Sequence, residues 1–216
     1  MLLNEKGTFT GGGMTGSYPQ PTRIYQNHHL DSTRWDGFAA RDDDVVIATP
    51  YKSGTTWMQG IVGRLILPNE EDPLSASPWL DTNYYPLKEV MDRLIAQKHR
   101  RFLKTHLPLD GLIYYPAVSY IVVGRDVRDV FMSLWNHYSN YSRKSFERRN
   151  NALNRCGPPM QVCPKDIREF WQMWITRGWF DWENEGYPFW SNMRHVQTWW
   201  NFRHLPNILF VHHNDL

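Results

Sequence analysis

The chain has 216 residues, enough for one domain with a sizeable buried core. Its 24 lysines and arginines nearly balance 22 acidic residues, so net charge gives no reason to expect a nucleic-acid partner. No apolar run approaches the ~18 residues that would span a membrane, and the two cysteines, Cys156 and Cys163, suit a reducing, cytoplasmic setting.

Residues 1–40 read as an N-terminal leader, partly flexible. Gly11-Gly12-Gly13 and Gly16 sit there in polar sequence, without the charged start and apolar run of a secretory signal. The domain is expected over 41–216. Its first strand is a β-branched apolar run at 45–49, which stops at Pro50 and enters the loop Tyr51-Lys52-Ser53-Gly54-Thr55-Thr56-Trp57. A helix over 56–67 follows. Strand, loop and helix N-terminus make a phosphate-binding geometry, because backbone N–H groups and the helix dipole converge on an anion. Lys52 adds a charge and the hydroxyl residues add donors. The nucleotide-triphosphatase loop needs G-x-x-x-x-G-K-S/T, whereas here the lysine precedes a single glycine.

A helix is expected over 87–96, then a strand over 102–105 that runs into Lys104-Thr105-His106-Leu107-Pro108. The next strand, 119–123, ends before Gly124-Arg125, and a helix over 126–138 carries Ser133 eight positions after the arginine. Residues 142–165, rich in asparagine, arginine, glycine and proline, read as a long lid-like loop. Its basic cluster (Arg143, Lys144, Arg148, Arg149, Arg155) reads as a solvated face. Helices follow over 166–175 and 192–202, with seven tryptophans between Trp171 and Trp200, mostly core, some expected to wall an acceptor pocket. The last strand is 208–212.

Strands alternating with helices predict an α/β fold, a central parallel sheet with helices on both faces. Ligand sites in such sheets lie beyond the carboxyl ends of the strands. Lys52, His106 and Arg125 each follow such an end. The other histidines read as surface or packing residues, with His28 and His29 assigned to the leader.

Three motifs in order, TPYKSGTTW, KTHLP and the Arg125–Ser133 pair, resemble the sulfotransferases that use 3′-phosphoadenosine 5′-phosphosulfate (PAPS). The resemblance implies a three-layer, P-loop-like fold and in-line transfer of a sulfuryl group to a hydroxyl of a small-molecule acceptor, without a metal. By residue it implies His106 as catalytic base and Lys52 on the oxygen that leaves sulfur. Lys104 becomes a second charge beside the transferring group. Ser53, Gly54, Thr55 and Thr56 would hold the 5′-phosphate, Trp57 would stack on adenine, and Arg125 with Ser133 would grip the 3′-phosphate. His213 stands where the family has a tyrosine that contacts adenine, and Asn214 where it has glutamate. The resemblance leaves a homodimer open. The family's R-K-G and G-D-W-K segments do not occur, so the chain reads as the N-terminal two-thirds or so of the family domain, expected to bind the donor weakly without the closing segment.

Two other readings share the fold. A P-loop nucleotide kinase would need the G-K-S/T element and a magnesium-binding carboxylate at a strand end. A non-catalytic nucleotide-binding protein would have no use for both Lys52 and His106.

Overall fold

The computed structural model describes residues 18–216. The glycines expected to make the leader flexible lie outside them. Four strands, β1 (Val45–Ala48), β2 (Phe102–Thr105), β3 (Ser119–Gly124) and β4 (Ile208–His212), form one parallel sheet in the order β2-β1-β3-β4. Val45 lies opposite Phe102 on one side and Ser119 on the other, and Tyr120 opposite Ile208. Six helices connect and flank them: α1 (Thr55–Ile66), α2 (Leu87–Ala96), α3 (Val127–Ser139), α4 (Arg143–Asn150), α5 (Ile167–Thr176) and α6 (Asn192–Trp200).

Alternation along the strands divides the core. Val45 and Ile47 join Phe102, Met58 and Val62 on the face covered by α1. Val46 and Ala48 point the other way, into a larger cluster with Leu103, Tyr120, Phe131, Leu134, Phe170, Trp190 and Trp199. Both faces of β1 and β2 are covered, which explains why these strands read as apolar runs, whereas β4 at the sheet edge buries only Ile208 and exposes Leu209. At the amino ends of β1 and β2, buried Arg101 donates to the buried Asp44 carboxylate through Nε (2.7 Å) and Nη2 (2.5 Å).

Two expectations change. Residues 18–40 do not behave as a leader: Tyr25, Leu30 and Trp35 are fully buried in the main core, and so are His28 and His29. Aromatic anchors placed among polar residues hide this burial from a reading of composition. Within 142–165 the chain forms a helix, α4. It buries no residue, so it has no apolar stripe to signal it. Local bonds hold it instead: Ser142 caps its amino end, and Arg143 Nε donates to Glu147 across one turn (2.8 Å). The other elements fall within two residues of expectation.

Candidate functional site

The site is a cavity at the carboxyl edge of the sheet, where β1, β2 and β3 deliver Lys52, His106 and Arg125 side by side. Its floor is the 50–54 loop. Lys52 adopts a left-handed backbone (φ 65°), and Gly54 follows at φ 105°. A side chain at Gly54 would be strained at that φ, and its Cβ would sit 2.6 Å from His213 Nδ1. This turn starts α1 on Gly54 with no side-chain cap and no acidic residue in the first turn. The backbone N–H groups of Thr55, Thr56 and Trp57 therefore lack helix partners, and all three residues line the cavity.

The side chains around this floor are cationic. Among the described residues Lys52 and Lys104 have no carboxylate within ion-pair distance, and Lys104 Nζ stands 4.1 Å over the Trp79 ring. Burial lowers the pKa of both lysines, and the neighbouring Arg125 charge lowers Lys52 further. Arg125 donates from Nη1 to the Lys52 carbonyl at 3.1 Å, fastening the loop to the end of β3. Ser133, two turns into α3, lines the same cavity. Among the described residues no aspartate or glutamate does. Of these cations only Arg125 has a carboxylate at ion-pair range among the described residues, Asp129 at 4.0 Å outside the cavity, so the cluster is arranged for a polyanion.

His106 is 7% exposed and its tautomer is set by its surroundings. Its Nδ1–H donates to the Thr49 carbonyl at 2.9 Å, which leaves Nε2 with a lone pair and no hydrogen-bond partner among the described residues. Thr49 also joins Thr55 through their hydroxyls (2.5 Å), so one residue at the end of β1 ties the loop to the imidazole. The ring stacks on Tyr51 (4.4 Å between centroids), and Tyr51 stacks on Phe189 (3.8 Å). Behind it, buried Asp81 accepts from His106 N (3.2 Å), Thr105 Oγ1 (3.0 Å) and Trp35 Nε1 (3.2 Å). Trp190 Nε1 donates to the His106 carbonyl and Trp199 Nε1 to that of Leu107. Burial first, then the charges of Lys104 and Lys52, hold the His106 pKa down to about 3. The imidazole is neutral at pH 7, with the Nε2 lone pair unprotonated.

Lys52, Gly54, Thr55, Thr56, Trp57, Lys104, His106, Arg125 and Ser133 thus come together as expected. Trp57, 60% exposed, presents a ring at the mouth. Two expected residues lie elsewhere. Ser53 is fully buried with its hydroxyl unpartnered, and His213 does not line the cavity but packs its ring against Gly54. None of the seven tryptophans at 171–200 lines it either; Trp190 and Trp199 instead brace the 106–107 segment from the core.

The sequence reading missed His29, Tyr51, Trp79, His137, Tyr141, Arg149 and Phe189, which complete the wall. A signal existed for some. Ser133 and His137 are four apart on α3, hence on one face, and Tyr141 continues that spacing. Arg149 Nη2 donates to Tyr141 OH (2.9 Å) and its guanidinium lies 4.1 Å over that ring, so one member of the basic cluster faces the site.

A family model described as "Sulfotransferase domain" matches residues 42–216. The chain is 36% identical over 225 aligned residues to the Glycolipid sulfotransferase of Mycobacterium tuberculosis, covering 94% of this chain and 67% of that protein. It is 28% identical to Sulfotransferase 1E1 of Homo sapiens, covering 84% of this chain and 58% of the relative. Among solved structures, mouse sulfotransferase SULT7A1 complexed with PAP shares the fold at a TM-score of 0.56 and 18% identity, over 88% of this chain and 61% of that one. The chain therefore spans about two-thirds or less of the length of these relatives, and it belongs to the sulfotransferase family.

Proposed function

We propose that this site transfers a sulfuryl group from PAPS to a hydroxyl of a small-molecule acceptor, with His106 as general base. One observation carries the reading: a neutral imidazole, anchored by Nδ1 and bare at Nε2, stands in a cavity with two lysines that have no carboxylate partner. A binding pocket alone needs no such base. The mouse sulfotransferase that shares the fold was solved in complex with PAP, the spent form of this donor.

The chemistry follows from the charges. As the acceptor oxygen forms its bond to sulfur, its proton passes to His106 Nε2. The bond from sulfur to the donor's phosphate oxygen breaks, and the electron pair leaves on that oxygen. Lys52 stabilises the departing charge, with the unpaired N–H groups of Thr55 and Thr56 around the phosphate. Lys104 stabilises the sulfuryl oxygens. Arg125 and Ser133 receive the 3′-phosphate, the arginine as a charge-assisted donor. Trp57 offers its exposed face to adenine. Ser53 contributes backbone, and His213 shapes the loop through Gly54. The products are adenosine 3′,5′-bisphosphate and a sulfate ester, with the proton on His106.

In the same reading the donor is a co-substrate and the protein works in the cytoplasm, without a nucleic-acid partner. Two free cysteines support that setting, and no described helix is long and apolar enough to cross a membrane. Incubating the chain with PAPS labelled in its sulfuryl group and a panel of hydroxyl acceptors tests the reading. Label should move to an acceptor; retention of all label on the nucleotide by a chain that binds PAP would leave a nucleotide-binding protein.

A further inference from the structure

Behind Trp79 lies a second buried histidine that the mechanism above does not use. His29 is 2% exposed, yet it lines the same cavity as His106, and both rings meet the face of Trp79 nearly edge-on, at 5.9 and 5.7 Å. One short segment fixes the two. The His29 carbonyl accepts from Asn83 N (2.8 Å) and Thr82 Oγ1 (3.2 Å), while the adjacent Asp81 carboxylate holds His106 N (3.2 Å). From the other side Asn27 Oδ1 accepts from His29 N at 3.0 Å. The ring stacks on Tyr84 at 5.2 Å. A histidine clamped this firmly at the rim of a reaction site is placed, not merely buried.

Its tautomer follows from its neighbours. His28 Nδ1 and His29 Nδ1 are 2.7 Å apart, so one carries a proton and the other accepts it. Burial keeps both rings neutral. On the cavity side the pair faces Arg149 and Arg148, and a neutral imidazole turns its bare nitrogen toward such positive charge and its N–H away. At the far end His28 Nε2 is buried without a hydrogen-bond partner. The arginine charge beside the cavity favours the arrangement in which His29 Nδ1–H donates to His28 Nδ1. That leaves His29 Nε2 bare, without a hydrogen-bond partner among the described residues.

Resting on the sulfotransferase reading, we propose that His29 is a second binding residue for the acceptor, whose Nε2 accepts the O–H of a hydroxyl neighbouring the one His106 deprotonates. The site is then matched to a polyol ring of carbohydrate type rather than to a lone alcohol. Two imidazole lone pairs receive two hydroxyls, and the aromatic wall of Trp79, Tyr141 and Phe189 borders the ring's C–H surface. Arg148, 4.2 Å over Tyr84, and Arg149, over Tyr141, stand at the outer end, where further hydroxyl oxygens accept from them.

Nitrogen NMR of the histidines tests the placement without relying on turnover. In the full chain saturated with PAP, His29 should show a protonated Nδ1 and an unprotonated Nε2. Adding trans-cyclohexane-1,2-diol should shift the Nε2 resonance, and cyclohexanol should not. A protonated Nε2, or equal shifts from both alcohols, overturns the proposal. Kinetics supply the second arm. His29→Phe keeps an aromatic ring and removes the lone pair, so it should raise KM for the diol by about tenfold, the loss of one hydrogen bond, with a much smaller change for cyclohexanol. His29→Gln, which retains an acceptor, should recover part of that loss. A KM raised equally for both alcohols would make His29 structural. If wild type turns over neither alcohol while the diol still shifts Nε2, the transfer reading fails and the binding role of His29 stands.

Discussion

At the scale of single residues, His106 and Lys52 make different predictions. In the proposed reaction His106 serves the acceptor, so His106→Ala should cut sulfuryl transfer by ~100- to 10,000-fold while PAP still binds, because general-base removal leaves the phosphate contacts in place. Lys52→Ala should slow transfer and weaken PAP binding together, since the same ammonium meets the phosphate before and after the bond to sulfur breaks. Retention of a third of wild-type turnover by His106→Ala, measured with labelled donor, would move the base elsewhere. The signal for His106 was plain in sequence, a histidine straight after a strand and followed by Leu-Pro. Its tautomer was not. That depends on the Thr49 carbonyl, 57 positions earlier, which only the parallel pairing of β1 with β2 brings near. His29 was illegible for the same reason: its clamp, Thr82 and Asn83, lies some fifty residues away and grips a backbone carbonyl rather than the ring.

At the scale of elements, the turn from β1 into α1 is a conformation that glycine permits. Gly54→Ala would place a Cβ at φ 105° and against His213, so the loop must open or the imidazole must move. The strain should cost about 1–3 kcal/mol of stability. The unpaired N–H groups of α1 should also lose their aim, weakening PAP binding, which calorimetry and thermal denaturation read together. An unchanged affinity would show that the N–H groups are not what binds phosphate. The Asp44–Arg101 pair supports a separate expectation, because both partners are buried. Asp44→Ala strands a guanidinium in the core and should destabilise the protein by about 3–5 kcal/mol, as breaking one side of a buried pair does. A loss below about 1 kcal/mol in denaturant titration would mean that Arg101 finds another partner. Elements with an apolar period were legible to within two residues. α4 was not, since capping and i,i+4 charges hold it while no side chain is buried.

At the scale of the whole molecule, the carboxyl edge of the sheet gathers positive charge and neutral imidazoles around one cavity. Burial holds His28 and His106 down to about 3, against an ordinary value of 6.5. His29 and His195 are lowered in the same sense. With folded-state values below the unfolded ones, the unfolded chain binds more protons between them, so stability present above pH 6.5 is lost as pH falls toward 3. The thermal midpoint should drop steadily from about pH 7 to about pH 4, and a flat midpoint would mean these rings are not buried. The fold class was legible because the strands read as apolar runs that alternate with helices, β4 included, although that edge strand buries only Ile208. The extent of the core was not, because Tyr25, Leu30 and Trp35 enter it from a segment whose composition resembles a tail.

The central claim is that this edge recognises a nucleotide with phosphates at both ends of its ribose, through the Lys52 loop and through Arg125 with Ser133. Titration calorimetry of the chain with adenosine 3′,5′-bisphosphate and with AMP, both without magnesium, tests it directly. The second phosphate should be worth about 2 kcal/mol, an affinity ratio of roughly 30, since it gains charge-assisted bonds that AMP cannot make. The preference should vanish in Arg125→Ala. Equal affinities for the two nucleotides in the unaltered chain would contradict the account.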